Sequence, residues 1–377
     1  MRRLVIGDKT IDDSSDCYVI AEIGHNHQGK LETCKEMFRV AKQCGADAVK
    51  LQKRDNRGLY TREMYAKPYN SENSFGATYG EHREALEFGW AEYTELKTYA
   101  DELGVDFFAT AFDFASADFL AKLGVPAYKI ASGDLKNIPL LKHVASYGKP
   151  MILSTGGGDM EDVVRAYDAV MPTNSQLCLL QCTAGYPAAF EELNLRVITT
   201  FRERFPTVVV GLSSHDNGIA MATAAYVLGA RVVEKHFTLN HTMKGTDHAF
   251  SLEPPGFSKL VRDLHRVRVA MGDGVKRTYE SEKAPMVKMG KRLVAASDLA
   301  PGHQVRREDV AIKSPGGGLQ PYELEKLIGR VVVNGMKADE DFTFEMLDGT
   351  RTTKLKFGAS EQDEPATRKL SGSDARR

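Results

Sequence analysis

Two short apolar runs in this chain each end in a histidine, and the polar residues gathered at such ends could do chemistry. Arg231-Val232-Val233-Glu234-Lys235-His236-Phe237 reads as a buried strand, β-branched at its start. Side chains two apart on a strand share a face, so Glu234 and His236 point the same way. Val208-Val209-Val210-Gly211-Leu212-Ser213-Ser214-His215 has the same design. Two imidazoles on adjacent strands, His215 and His236, can share a divalent metal and leave coordination positions open for water and substrate oxygens. Other apolar runs also end in polar groups: Glu22, Lys50 with Gln52, Thr110, Lys129 with Ser132, Ser154, and Thr183 with Tyr186. Lysines and serines together suit a small anion carrying phosphate and carboxylate. Hydroxyls beside helix N-termini add donors aimed at phosphate. Glu22 and Glu234 are available for proton transfer or for holding substrate hydroxyls. The inventory implies an anionic small substrate, a metal and a polarised carbonyl, without naming the reaction.

Each residue also has a bland reading. A lone histidine is usually a satisfied core or surface residue. Lys50 can simply pair with Glu22, and Ser154 reads best as a helix N-cap, which strand-to-helix turns need. What argues against these readings taken together is the repetition. A ring of charged and hydroxyl groups at one end of a set of apolar strands is costly unless it binds something.

The spacing predicts which elements hold the ring. Strands are expected over 18–22, 48–52, 107–112, 127–131, 150–154 and 177–183, ahead of the two histidine-ending runs. Helical periodicity separates them, over 31–44, 93–103, 115–123, 139–147, 160–170, 192–204 and 217–228, with a last helix over 256–271. Gly45, Gly104 and Gly124 stand where helices should stop. Eight strand–helix units with near-continuous apolar strands predict a (β/α)8 TIM barrel. A doubly wound open sheet is the rival, but Gly24-His25-Asn26-His27-Gln28-Gly29 lacks the GxGxxG fingerprint that would go with it. One connection, 53–90, is long and rich in aromatics. It is read either as an insertion packing on its own small core or as a substrate lid.

After Met271 the texture changes. The barrel is expected over 1–275, a polar linker over 276–290, a small β-rich module over 291–350 and a disordered tail over 351–377. The net charge of −1 and the mixed signs exclude a nucleic-acid binder. Five cysteines without paired spacing point to a reduced, cytoplasmic protein. The N-terminal residues lack the apolar run of a signal peptide, and no stretch is long enough to span a membrane.

Several motifs, in order, resemble the sialic acid (nonulosonate) synthases. They are Ala21-Glu22-Ile23-Gly24-His25-Asn26-His27-Gln28-Gly29, Gly45-Ala46-Asp47-Ala48-Val49-Lys50-Leu51-Gln52, Tyr128-Lys129-Ile130-Ala131-Ser132-Gly133-Asp134 and Glu234-Lys235-His236-Phe237-Thr238. The segment from Lys291 to Leu347 is similar to their antifreeze-like domain. The resemblance implies condensation of phosphoenolpyruvate with an open-chain N-acylmannosamine-type aldose, with release of phosphate. It implies manganese or magnesium held by His215 and His236. It assigns Lys50, Thr110, Lys129, Ser132, Ser154 and Ser213 to phosphoenolpyruvate, and Glu22, Gln52, Tyr186 and Asp247 to the sugar, with Glu234 handling a proton. It also implies a homodimer in which each antifreeze-like domain covers the partner's barrel mouth. The chain departs from the familiar free-sugar enzymes at Asp134, at Ala184 and at Ser314, where their arginine is missing. Lys67-Pro68-Tyr69, Thr78-Tyr79-Gly80-Glu81-His82 and Lys244-Gly245-Thr246-Asp247-His248 look more like the branch that uses the 6-phosphorylated sugar.

The runner-up enzyme is a related synthase making another 3-deoxy sugar acid from phosphoenolpyruvate and a different aldose. Metal-dependent hydrolysis is a further reading, suggested by His25-x-His27. A binding protein whose terminal module does the work has no need of Lys50, Lys129 and His236.

Overall fold

In the computed structural model, which describes residues 2–348, the chain divides into two compact units at Gly274 and Val275. The first unit begins with a hairpin that the sequence reading did not anticipate. Its strands β1 (Arg3–Ile6) and β2 (Lys9–Asp12) pair antiparallel. Leu4, Ile6 and Ile11 are buried in the same hydrophobic core as the barrel strands. Lys9 Nζ reaches Asp47 and Asp106, which stand at the N-terminal ends of two barrel strands, so the hairpin covers that end.

Eight parallel strands then close a barrel: β3 (Tyr18–Gly24), β4 (Ala48–Lys53), β5 (Asp106–Ala111), β6 (Tyr128–Ile130), β7 (Met151–Ser154), β8 (Leu177–Cys182), β9 (Val209–Ser214) and β10 (Val232–His236). Consecutive strands are neighbours all the way round, and β10 pairs with β3. This is the TIM barrel expected from the sequence. Its helices are α1 (Leu31–Gln43), α2 (Trp90–Leu103), α3 (Phe114–Leu123), α4 (Ile138–Ala145), α5 (Met160–Val170), α6 (Val197–Arg204), α7 (Ala220–Val227) and α8 (Pro254–Met271). Gly104 and Gly124 end α2 and α3 in the left-handed conformation, at φ 64° and 80°, where an L side chain would be strained. Gly211 in β9 has a different reason. A Cβ there would lie 2.3 Å from the Val232 carbonyl oxygen and 2.5 Å from Leu180 Cδ2, so the barrel closes only around glycine. Among the described residues no helix is long and apolar enough to cross a membrane.

The connection after β4 packs on a small core of its own, the first of the two readings given above. It holds three short helices, Asn56–Leu59, Arg62–Ala66 and Tyr79–Glu84, the last with a Thr78/Glu81 capping box. Tyr60, Tyr69, Tyr79 and His82 pack on one another, with ring centroids 4.7–6.3 Å apart, as a small core of their own.

The second unit carries a helix, Glu280–Met289, within the segment read as a linker. Two short antiparallel pairs follow, Arg292–Ala295 with Val310–Lys313 and Val331–Val332 with Leu347–Asp348. Leu293, Val305, Leu327, Val332 and Phe342 form its own buried core. The expected tail lies outside the described residues.

Candidate active site

Strand register sets the site. Glu22 on β3 lies beside His236 on β10 and Lys50 on β4. Gln52 lies beside Thr110, and Thr110 beside Lys129. Ser213 on β9 lies between Cys182 and Glu234. Scattered residues thus reach one end of the barrel at matching heights. There they line a cavity of about 510 Å³ that falls in the range (about 300–1,000 Å³) of pockets enclosing small ligands. Every residue that the resemblance assigns to metal, phosphoenolpyruvate or sugar lines it, including Tyr186 and Asp247 from the loops after β8 and β10, whereas Thr183 does not and donates to the Glu192 carbonyl at 2.8 Å.

The floor is an ionic network. Lys50 Nζ is 2.6 Å from Glu22 Oε2 and 3.5 Å from Glu234 Oε1, and it donates to Thr110 Oγ1 at 2.8 Å. The pairing of Lys50 with Glu22 is therefore real, and it sits inside the cavity rather than apart from it. Gln52 Nε2 donates to Glu22 Oε1 at 2.7 Å. Burial, with the neighbouring Glu234 adding to it against the pull of Lys50, raises the Glu22 carboxyl to about 7. Glu234 goes the other way: burial opposes its charge, but Lys129 and Lys50 outweigh burial and keep its affinity for a proton low. Two carboxylates in one cavity are pushed apart, as acid–base pairs require. Among the described residues Lys129 donates only to its neighbour's backbone carbonyl, at 2.8 Å from Ile130 O, and burial lowers its hold on the proton. An anion at Lys129 would restore what burial removes.

The reading of Ser154 as a helix cap is corrected. Asp159 caps α5, through the Asp162 amide, and Ser154 Oγ is buried with no hydrogen-bond partner among the described residues. A buried hydroxyl left unpaired in a cavity fits one that bonds to a ligand. Ser132 Oγ accepts from the Gly156 amide at 3.0 Å and so ties the turns after β6 and β7 together.

His215 and His236 face each other with ring centroids 5.3 Å apart. His215 Nδ1 meets the Thr183 carbonyl at 3.0 Å. A carbonyl only accepts, so in the neutral ring Nδ1 carries the proton and Nε2 keeps its lone pair. Burial, and then His236 beside it, lowers the His215 ring to about 4, so it is neutral at physiological pH. Burial also lowers His236, whose Nδ1 has no hydrogen-bond partner among the described residues and lies 3.7 Å from Asp247 Oδ2. Among the described residues no set of three or more His, Cys, Asp or Glu converges to hold a metal by protein groups alone. Two neutral imidazoles, one with an orphaned nitrogen, fit an ion that completes its shell with substrate and water. Tyr186 and Phe250 wall the pair, at 4.0 Å from His215 and 4.9 Å from His236. Behind the strands Lys235, buried on the opposite face, donates to Asp216 O at 2.6 Å and Asp216 Oδ1 at 3.1 Å, anchoring the turn that carries His215.

Among the lining residues that the sequence reading left out of the site are Arg54, just past β4, Arg83, from the long insertion, and His25, which it named only in a turn and in the His25-x-His27 pair. The available signal was the Thr-x-x-Glu capping box at Thr78, which predicts a short helix carrying Arg83.

Residues 37–276 match the NeuB family, and residues 292–348 match the SAF domain. The N-acetylneuraminate-9-phosphate synthase of Homo sapiens is 40% identical, over 88% of this chain and 93% of that one. The N,N'-diacetyllegionaminic acid synthase of Legionella pneumophila is 34% identical, over 92% and 99%. The solved N-acetylneuraminic acid (sialic acid) synthetase of Leptospira borgpetersenii, in complex with citrate, superposes with a TM-score of 0.66 at 30% identity, over 75% of this chain and 95% of that one. The chain therefore belongs to the NeuB family of nonulosonic acid synthases and carries a SAF domain after its barrel.

Proposed function

We propose that this protein condenses phosphoenolpyruvate with an N-acylmannosamine-like aldose, giving a nine-carbon 2-keto-3-deoxy sugar acid and inorganic phosphate. The observation that carries the reading is one cavity, in a chain of this family, holding Lys50, Lys129, the unpartnered Ser154 hydroxyl and two neutral imidazoles. Lys129, with Thr110, Ser132, Ser154 and Ser213, binds phosphoenolpyruvate; charge-assisted bonds to its oxygens replace the weak contacts these groups make without it. Lys50 holds Glu22 in place and adds positive charge beside the same anion. Gln52, Tyr186 and Asp247 orient the sugar. His215 and His236 would hold a divalent ion, Mn2+ or Mg2+, which when bound polarises the aldehyde.

In the reaction the C3 carbon of phosphoenolpyruvate forms a bond to the aldehyde carbon, whose oxygen gains a proton. Positive charge develops at C2. Water adds there, losing a proton, and the C–O bond to phosphate breaks. Glu234, kept ionised by the lysines, stabilises the charge at C2. Glu22 is the proton carrier, since a group near 7 can both give and take at neutral pH. Burial raises Glu22, so its ionised form appears only as the pH rises through about 7. The pH profile of kcat/KM is expected to show one group near that value, absent in Glu22→Gln. A profile with the same inflection in the variant would remove Glu22 from this role.

The assay that tests the whole reading follows phosphate release from phosphoenolpyruvate with Mn2+ and a panel of amino sugars, with the product identified by mass spectrometry. No release with any aldose would overturn it; release only with a non-amino aldose would favour the 3-deoxy sugar acid alternative. We also propose a homodimer on the strength of the family resemblance, and light scattering that finds a fully active monomer would refute it.

A further inference from the structure

The two facing histidines are held in different ways. His236 is the last residue of β10, and the sheet sets its place: the Leu252 amide donates to its carbonyl at 2.7 Å, and the next amide, Phe237 N, donates to Glu22 O at 2.8 Å. His215 stands one residue past the end of β9, where the ladder has stopped. Its carbonyl accepts from the Ala188 amide at 3.3 Å. The remaining hold on this turn comes from β10 itself. Lys235 lies between Glu234 and His236, and strand alternation points it away from the cavity. Its Nζ donates to Asp216 O at 2.6 Å, to Asp216 Oδ1 at 3.1 Å and to Ser214 Oγ at 3.4 Å. An ammonium has three N–H donors, and these acceptors use all three. They belong to the residues on either side of His215.

Stability does not account for this pair. The Lys235 and Asp216 side chains are each 1% exposed. Taking two such charges out of water carries a desolvation penalty that their attraction offsets only in good geometry, and a well-packed apolar pair of the same volume is often as stable or more so. The start of the same strand, Val232-Val233, shows that apolar residues pack readily here. What an ammonium with three fixed acceptors adds over an apolar side chain is direction: it fixes where the turn lies relative to the strand.

We propose that Lys235 is a positioning residue, which ties the strand carrying His236 to the turn carrying His215 and so sets the separation at which the two imidazoles share one ion. This rests on the reading above that the histidines hold a divalent metal. The contact of His215 Nδ1 with the Thr183 carbonyl fixes how that ring is rotated, and Lys235 fixes how far it stands from His236. Bond lengths to a metal are held to about 0.2 Å, so a turn free to shift against β10 loses affinity for the ion even with both rings present. Lys50, Thr110, Lys129 and Ser154 stand on β4 to β7, whereas Lys235 pairs in register with Ala21 on β3 and Ser214 on β9. Phosphoenolpyruvate binding should therefore not depend on it.

The test measures Mn2+ binding directly, by electron paramagnetic resonance of the free ion, in the full-length wild type, His236→Ala, Lys235→Met and the double variant Lys235→Met/Asp216→Leu. In Lys235→Met the Kd for Mn2+ should rise by about 10–100-fold, the scale of losing a partner that orients a metal ligand. The Mn2+ concentration for half-maximal turnover should rise with it, while the KM for phosphoenolpyruvate stays unchanged. Charge alone predicts the opposite sign, since removing a nearby cation favours a metal ion. The single variant strands the Asp216 carboxylate and should lower Tm; the double variant is as neutral as the original pair and should recover Tm. It should not recover Mn2+ affinity. Wild-type affinity in either variant overturns the proposal, and if the single variant does not fold, the double variant decides it. Equal Mn2+ binding by wild type and His236→Ala means that the metal reading itself fails and the proposal with it, an outcome seen with Lys235 intact and so separate from the first.

Discussion

Replacing His236 with alanine is expected to remove most turnover and the dependence on added Mn2+, and to leave the barrel folded. His236 is the last residue of β10, and its Nδ1 makes no hydrogen bond, so deleting the ring strands no buried partner. The structural loss is the contact with Phe250 and with His215, about 0.5–1.5 kcal/mol per aromatic pair. The catalytic loss is larger. If the imidazole helps hold the charge that polarises the aldehyde, its removal should cost at least about 10²–10³-fold in kcat, the scale of losing one electrostatic contact to the transition state. Thermal unfolding and phosphate release measured on one preparation separate the two effects. Near-normal turnover in a folded variant would sink the role given to His236, and with it the shared site of the two histidines.

Lys129→Ala is the second large effect, and it should fall on phosphoenolpyruvate. The Lys129 ammonium is buried and its one hydrogen bond is to a backbone carbonyl, so it is poorly satisfied until an anion arrives. Removing one partner of a buried charge pair costs about 2–5 kcal/mol, or about thirty-fold to several thousand-fold in affinity. Glu234, which Lys129 helps to keep ionised, would also regain affinity for a proton, so kcat should fall too. The KM for phosphoenolpyruvate should rise far more than the KM for the sugar. Steady-state kinetics with each substrate varied checks this, and an unchanged phosphoenolpyruvate dependence would mean the anion lies elsewhere. Arg54 and Arg83 would then be the first place to look.

The eight barrel strands were legible because each is an apolar run bounded by a helix with clear stop signals. Their order followed from the barrel reading, since a closed (β/α)8 ring takes its strands in chain order. The residues at the strand ends were legible for a related reason: a lysine or glutamate closing a Val- and Ile-rich strand contradicts the pattern around it. The hairpin of β1 and β2 was not legible. Its strands are four residues each and carry charges, and their burial depends on a barrel end that exists only after closure. Ser154 was misread because a serine after a strand looks like a cap; only the position of Asp159 frees it.

The sequence by itself determined the kind of chemistry, because residue types and strand parity decide which groups can share a face. It could not determine their protonation or company. Glu22 and Glu234 have the same side chain, yet one is driven up by burial and the other held down by two lysines. His25, Arg54 and Arg83 come from a turn, a strand end and an insertion, and nothing local to any of them requires that they meet. Barrel closure and the packing of the insertion bring them together, since burial and charge proximity are properties of distance in space and not along the chain.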